Sequence, residues 1–582
     1  MKFTQFLHGG LLNASLIAAQ TYPIKGATGG VDATTGARPF RLNINDLQKS
    51  GAAWDLYILA MQSFTQDDAS LLTSYFQVAG IHGEPNIPWD GAVGNGGGSG
   101  YCTHSSVLFP TWHRPYMALF EQIVWNKTQT IAQQYPAAVR NNYIAAANTL
   151  RVPYWDWSMT AEIPAIVNTP TVQVNTPTGQ KTIANPLYTY KFGPSTLSQL
   201  PQGSLSTTVR RPDNRGNSQP ALVNKQFDNI ASSLHSQVYN LWSQQKDFLR
   251  FANAAITNKF RMRFNSIEGA HNTIHTTVGG NGGQMSDISV AAFDPIFWLH
   301  HANVDRIFSI WQAINPDLYV VPYPANMDSY STAQGTTEDV NYPLYPFHSD
   351  TNGSLYTSAN VRSTRDFGYT YPEVVDWGMN ADAKTLAANV TAVINKMYNP
   401  DGSLSKRSRI SGRNTQLSTG NAASYNWMIN AAADTKKLED SVFIYFYMTA
   451  PPTDANAWAT DSNVLTITPI LVNPASKSPM MGEDAGVTAT QAIVTSPLLK
   501  FVSDLDPSVA LPALQSKLQW RATWTNGSAI SAEAMTSIGA IDIIVTGQTV
   551  EQTPAITDFP IYGEPVLHGQ AGLGVNGDKV LS

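Results

Sequence analysis

A single cysteine in 582 residues excludes any intramolecular disulfide framework, so packing alone must hold the fold and disulfides say nothing of the compartment. Charge is scarce too. Asp, Glu, Lys and Arg make up 13% of the chain, about half the usual share. The net charge of −6 is spread thinly, with no Lys/Arg block and no acidic tail, so nucleic acid is not an expected partner. No uninterrupted apolar run is long enough to span a bilayer, and no membrane segment is expected. What the chain does have is core material: 43% hydrophobic residues, with 14 Trp, 24 Tyr and 22 Phe. Its length calls for at least two domains.

The chemistry is written in histidine. Six of the eleven histidines fall into two separated trios. The first is His82, His104 and His113, with Cys102 two residues before His104. The second is His271, His275 and a member of the His300-His301 pair. Three imidazoles hold one metal ion, so two such sets point to two ions side by side. His271 and His275 stand four residues apart, which on a helix places both on one face. A zinc protease requires H-E-x-x-H, but this chain reads His271-Asn-Thr-Ile-His275. Di-iron bundles need carboxylates from several helices, and the Glu268-to-His271 spacing occurs once without a second copy. All-imidazole sets suit copper.

Around these residues the chain alternates pattern and punctuation. Residues 1–19 combine one lysine, an apolar stretch and Ala18-Ala19, a secretory-type leader interrupted by His8, Gly9, Gly10 and Asn13. Sequons at Asn126, Asn352, Asn389 and Asn526 also favour secretion. Trp54, Tyr57, Ile58 and Met61 recur at helical spacing after Ser50, a candidate cap. Residues 83–101 form a long loop whose Gly run lacks the Lys-Ser/Thr of a phosphate loop. A strong amphipathic helix is expected from Pro110. Residues 160–225 read as a surface excursion, and helical patterning returns at 226–275 and 296–313. After about residue 375 comes a short helix, then the basic stretch NPDGSLSKRSRISGRN. The β-type runs SVFIYFYMTA, NVLTITPILV, QAIVTSPLLKFV, LQWRATW and AIDIIVTG follow.

Four segments, GYCTHSSVLFPTWHRPY, RVPYWDWS, EGAHNTIH and FDPIFWLHHANVDRIFSIWQ, together resemble the fungal tyrosinases, type-3 copper proteins related to catechol oxidases and hemocyanins. The resemblance spans roughly residues 38–375. It implies a mainly α fold: a four-helix-bundle dicopper catalytic domain over 20–375, a linker over 376–412, and a smaller, β-rich, sandwich-like covering domain over 413–582. It places one copper (CuA) on His82, His104 and His113 and the other (CuB) on His271, His275 and His301, leaving His300 out. It further implies a thioether joining Cys102 to His104, and a water held by Glu268 and Asn272 that deprotonates an incoming phenol. Read plainly, Glu268 is a solvated helix residue. The resemblance also implies that Ile288 falls at an aliphatic gate over the copper site, that Phe297 packs over that site, and that Asp156 and Asp305 are carboxylates fixing histidines or the bundle. Tyr369 and Tyr371 resemble the motif that closes the catalytic domain.

The implied activity is copper-dependent o-hydroxylation of monophenols and oxidation of o-diphenols to o-quinones, with dioxygen as co-substrate. The alternatives are a catechol or o-aminophenol oxidase without hydroxylase activity, and an oxygen carrier. Asn272 with Glu268, and the non-aromatic Ile288, favour hydroxylation. Lys406-Arg407 in the linker is a candidate site for an activating protease. The absence of cysteine beyond Cys102 removes the Cys-rich copper-loading motif that relatives carry in their C-terminal domains.

Overall fold

The computed structural model describes residues 20–94, 98, 100–201, 203–256, 264–399, 424–434, 437–472, 487–531, 534 and 541–571. The leader at 1–19 and Lys406-Arg407 lie outside them.

The first long helix of the helical body is α1 (Ala52–Thr65), where Trp54, Tyr57, Ile58 and Met61 are all buried, as their spacing requires. Ser50 is not its cap. Gly51 takes that position at φ 65°, and Ser50 Oγ instead donates to Leu47 O at 2.6 Å, closing the preceding turn. Then follow α2 (Tyr75–Gly80), α3 (Phe109–Ala132), α4 (Ala137–Thr149), α5 (Pro220–Ser243), α6 (Ile267–Gly279) and α7 (Ile296–Ile314). Helices α3, α5, α6 and α7 pack on one another as a four-helix bundle, with α1 against the outside of α3.

The excursion at 160–225 is less superficial than its Pro, Thr and Asn content suggests. It buries Val172, Val174, Leu187, Tyr190 and Phe192, and its Arg210 pairs with Asp294 at 2.6 Å in the interior. The stretch 376–412 contains α8 (Ala383–Tyr398), which packs on α7 and buries Val390, Ile394 and Tyr398 in the same core as the bundle.

Beyond it the chain turns to β structure. A five-stranded antiparallel sheet comprises β1 (Ser424–Asp434), β4 (Val487–Ile493), β6 (Ile541–Glu551), β7 (Ile561–Tyr562) and β8 (Val566–Ala571), in the order β4-β1-β6-β7 with β8 also on β6. A three-stranded sheet orders β5 (Gln519–Trp524), β2 (Val442–Tyr447) and β3 (Val464–Ile470). Trp427 and Ile429 of the first sheet share a core with Val442, Ile444 and Phe446 of the second, giving a sandwich. The run QAIVTSPLLKFV is strand only to Ile493; Pro497 has no N–H for a ladder, and Thr495–Leu498 turns helical.

Strand β2 has two dry faces. Val442, Ile444 and Phe446 point into the sandwich, while Phe443, Tyr445 and Tyr447 join the core of the helical body. Side chains alternate across a strand, so one continuous apolar run serves two cores. Among the described residues no helix is long and apolar enough to cross a membrane.

Candidate metal centre

Helix α6 is set by its ends. Ser266 caps it, its Oγ accepting from Gly269 N at 3.0 Å, and Gly280 at φ 54° ends it. Between these, His271 and His275 share the inward face. The segment after the helix folds back tightly: a side chain on Gly279 would lie 2.2 Å from Ser286 N. That close approach brings Met285 O within 2.7 Å of His275 Nδ1.

The same device recurs around the centre. His82 Nδ1 meets Ile288 O at 3.0 Å, and His113 Nδ1 meets Phe109 O at 2.7 Å. His271 Nδ1 meets Asn272 Oδ1 at 2.9 Å. A carbonyl oxygen only accepts, so each of these Nδ1 atoms carries the proton and each Nε2 presents a lone pair inward. His271 Nε2 and His275 Nε2 lie 3.2 and 3.3 Å from His301 Nε2. His82 Nε2 is buried with no hydrogen-bond partner.

The two trios abut. Ring nitrogens of His82, His113 and His301 form one group within 4.8 Å, those of His271, His275, His300 and His301 form another, and His104 groups with His82 and the Cys102 sulfur. His301 stacks on His113 at 4.5 Å between centroids. His300 is enclosed, with neither ring nitrogen hydrogen-bonded. Phe297 stacks on His301 at 4.0 Å and meets His82 edge-on at 4.9 Å, so it walls both sets.

All six imidazoles are buried, with His104 the most exposed at 8%. Burial pushes every one of them below the usual histidine pKa, reinforced for most by neighbouring imidazoles, and His275 falls to about 4. Neutral rings with convergent, desolvated lone pairs are what a metal requires. Imidazole-rich groups without a carboxylate, one of them including the Cys102 sulfur, fit copper.

Cys102 Sγ reaches into the first trio, 3.3 Å from His113 Nε2 and 3.7 Å from His104 Nε2, and burial pushes its thiol pKa up. Glu268 is no solvated helix residue: it is 1% exposed. Its Oε1 accepts from Ser105 N at 2.6 Å and its Oε2 from Ala254 N at 2.8 Å, so it grips the segment that carries His104. Burial raises its pKa to about 7 against the lowering effect of those two amides. Glu338 holds the next residue, accepting from Ser106 Oγ at 2.5 Å, and burial raises it to about 7 as well.

Asp305 serves the bundle. It accepts from Arg114, Arg41, Tyr369 and Tyr371, joining the N-terminal arm to the closing tyrosines. Asp156 pairs with Arg306 at 3.0 Å and bonds Ser158 and Tyr398. The contributions of Ile288 O, Met285 O and Phe109 O escape sequence reasoning, because a backbone carbonyl has no residue signature.

Residues 72–314 match the family model "Common central domain of tyrosinase", and residues 426–540 match "Tyrosinase C-terminal domain". A tyrosinase from Podospora anserina is 40% identical over 363 residues, 59% of this chain and 63% of that protein. The chain thus spans under two thirds of that relative's length. Polyphenol oxidase 2 of Agaricus bisporus is 32% identical over 430 residues, 71% of this chain and 76% of that one. Among solved structures, latent and active mushroom tyrosinase superposes with a TM-score of 0.80 at 28% identity, over 94% of this chain and 98% of that one.

Proposed function

We propose that this chain, which belongs to the tyrosinase family, is a copper-dependent tyrosinase that hydroxylates monophenols and oxidises o-diphenols to o-quinones. Membership implies type-3 copper. One observation carries the proposal: two abutting sets of buried, neutral imidazoles, most of them fixed through Nδ1 so that Nε2 faces inward. His82, His104 and His113 would hold one copper, and His271, His275 and His301 the other. When bound, the pair supplies the seat for dioxygen and the two-electron exchange that phenol oxidation needs.

The chain's own groups do the rest. Phe297 walls the centre with apolar surface, and Ile288, whose carbonyl holds His82, is the proposed gate for a flat ring. Asn272 orients His271 through Oδ1 and leaves its Nδ2 hydrogens for a water or substrate oxygen. Glu268, with a pKa near neutrality, receives the phenol proton through that water on a carboxylate lone pair the amides leave free. The same reading includes a thioether from Cys102, whose Sγ lies 3.7 Å from His104 Nε2, to His104; its formation would release the thiol hydrogen and one ring hydrogen to dioxygen.

The C-terminal sandwich is the proposed cover. With Phe443, Tyr445 and Tyr447 sharing the core of the helical body and the six imidazoles at 8% exposure or less, entry of a phenol requires it to move. A protease acting near Lys406-Arg407 is the proposed release. Secretion is supported by the exposure of all four sequon asparagines, Asn126, Asn352, Asn389 and Asn526.

The test is turnover of copper-loaded, protease-treated protein on tyrosine and on the matching catechol. Turnover of both supports the tyrosinase reading, of the catechol alone a catechol oxidase, and of neither an oxygen carrier.

A further inference from the structure

Away from the histidines, a cavity of about 390 Å³ lies where the helical body meets the sandwich. That is within the ~300–1,000 Å³ range of small-molecule sites. Asn240, Ser243 and Gln244 at the end of α5, with Asn265 before the α6 cap, form one wall; Thr546 and Gln548 of β6 form the other. Gln548 Nε2 donates to Gln244 Oε1 across the boundary at 2.8 Å, and Ser243 Oγ lies 3.1 Å from Tyr562 OH of the sandwich.

The lining is polar without being charged. Asn240, Ser243, Asn265, Thr546 and Gln548 are all 8% exposed or less, and Asn265 Oδ1 has no hydrogen-bond partner. Buried carboxamides are uncommon, and one left unpaired is costly unless a ligand satisfies it. The lining's charges, Arg250 and Glu564, are exposed and of opposite sign, so the cavity selects neither anion nor cation. Phe264, with the Arg250 guanidinium 4.0 Å over its ring, and Pro560 add apolar surface.

We propose that this cavity binds a neutral saccharide of one to three rings. Sugar hydroxyls both donate and accept, as the carboxamides and hydroxyls of these walls do, and the C–H face of a pyranose matches Phe264 and Pro560. The walls belong to two domains, so the bound sugar holds the sandwich on the helical body. At ten times its Kd it lowers the dissociated fraction of a cut sandwich about elevenfold.

The experiment titrates the full-length chain with maltotriose, cellotriose and chitotriose by calorimetry. At least one binds saturably with a Kd on the order of 1 mM or tighter. Gln548→Ala weakens that binding about tenfold, and Thr546→Trp, which fills the cavity from the sandwich side, abolishes it. Absence of binding by all three sugars overturns the proposal, as does unchanged affinity in Thr546→Trp. Should Gln548→Ala loosen the domain contact itself, Thr546→Trp decides alone. No turnover is measured, so failure here leaves the copper reading untouched.

Discussion

Replacing Glu268 by glutamine separates the two things this carboxylate does. The side chain is enclosed, and its pKa rises from the ordinary 4.5 to about 7 because burial outweighs the amides of Ala254 and Ser105. At ~1.36 kcal/mol per pH unit, that rise corresponds to about 3 kcal/mol. The sign follows from linkage. A carboxyl whose folded pKa lies above its unfolded value binds its proton more tightly when folded. Its stabilising share is therefore complete below about pH 4.5 and is lost as pH rises through about 7. A glutamine side chain cannot titrate, so the variant lacks this slope. The assay is urea unfolding of metal-free wild type and Glu268→Gln, followed by tryptophan fluorescence from acid to alkaline pH. Glu338 shifts in the same direction but is common to both proteins, and so cancels in the difference. The expected result is a difference that moves by about 3 kcal/mol in favour of the variant across this interval. A difference flat to within ~1 kcal/mol, or one moving the other way, would mean that the Glu268 carboxyl is not held protonated by burial.

Other perturbations give sharper yes-or-no results. His113→Ala and His271→Ala each halve the copper per chain, read by mass spectrometry of the metal, and abolish oxidase turnover; retained turnover in either rejects that ligand set. Ile288→Phe, at the proposed gate, raises KM for phenols by about tenfold with kcat little changed, because its backbone carbonyl still holds His82. Asp305→Asn leaves Arg41 and Arg114 without their shared charge in the interior and costs about 3–5 kcal/mol in thermal unfolding of the metal-free protein. Peptide mass spectrometry of copper-loaded, aerated protein finds Cys102 and His104 in one crosslinked fragment two hydrogens lighter; an alkylatable Cys102 rejects the thioether.

The sequence is most legible where a side chain carries its own chemistry. Six imidazoles at helical and loop spacings, and the i,i+4 pair on α6, name the centre before any coordinates do. It is least legible where the backbone acts. Nothing in Met285, Ile288 or Phe109 announces that their carbonyls orient His275, His82 and His113. Glu268 misleads for a related reason, since its partners are the amides of Ser105 and Ala254, distant in sequence and free of residue preference. The central strand β1 escapes the β-type pattern because Asn426, Asn430 and a run of alanines have low β-propensity; pairing with β4 and β6 on both edges overrides it. Ser50 shows the limit of capping rules: its hydroxyl donates to Leu47 O, while Gly51 takes the cap position at φ 65°, a conformation that favours glycine.

Strand β2 bears on how the proposed cover works. Its aromatic face is buried against the helical body while its aliphatic face is buried in the sandwich. Exposing Phe443, Tyr445 and Tyr447 together costs about 1.5–3 kcal/mol each, so spontaneous lifting of a tethered cover leaves well under one chain in a thousand open. Residual activity of the intact protein should therefore be small but measurable. Cutting the linker breaks none of these contacts. It removes only the effective concentration, on the order of millimolar, that the tether provides. Release then depends on dilution, and the activity of the cut enzyme should fall again when the isolated sandwich is added back. A cut chain whose activity is indifferent to added sandwich would mean that the strand is a core element of one fold and not a cover.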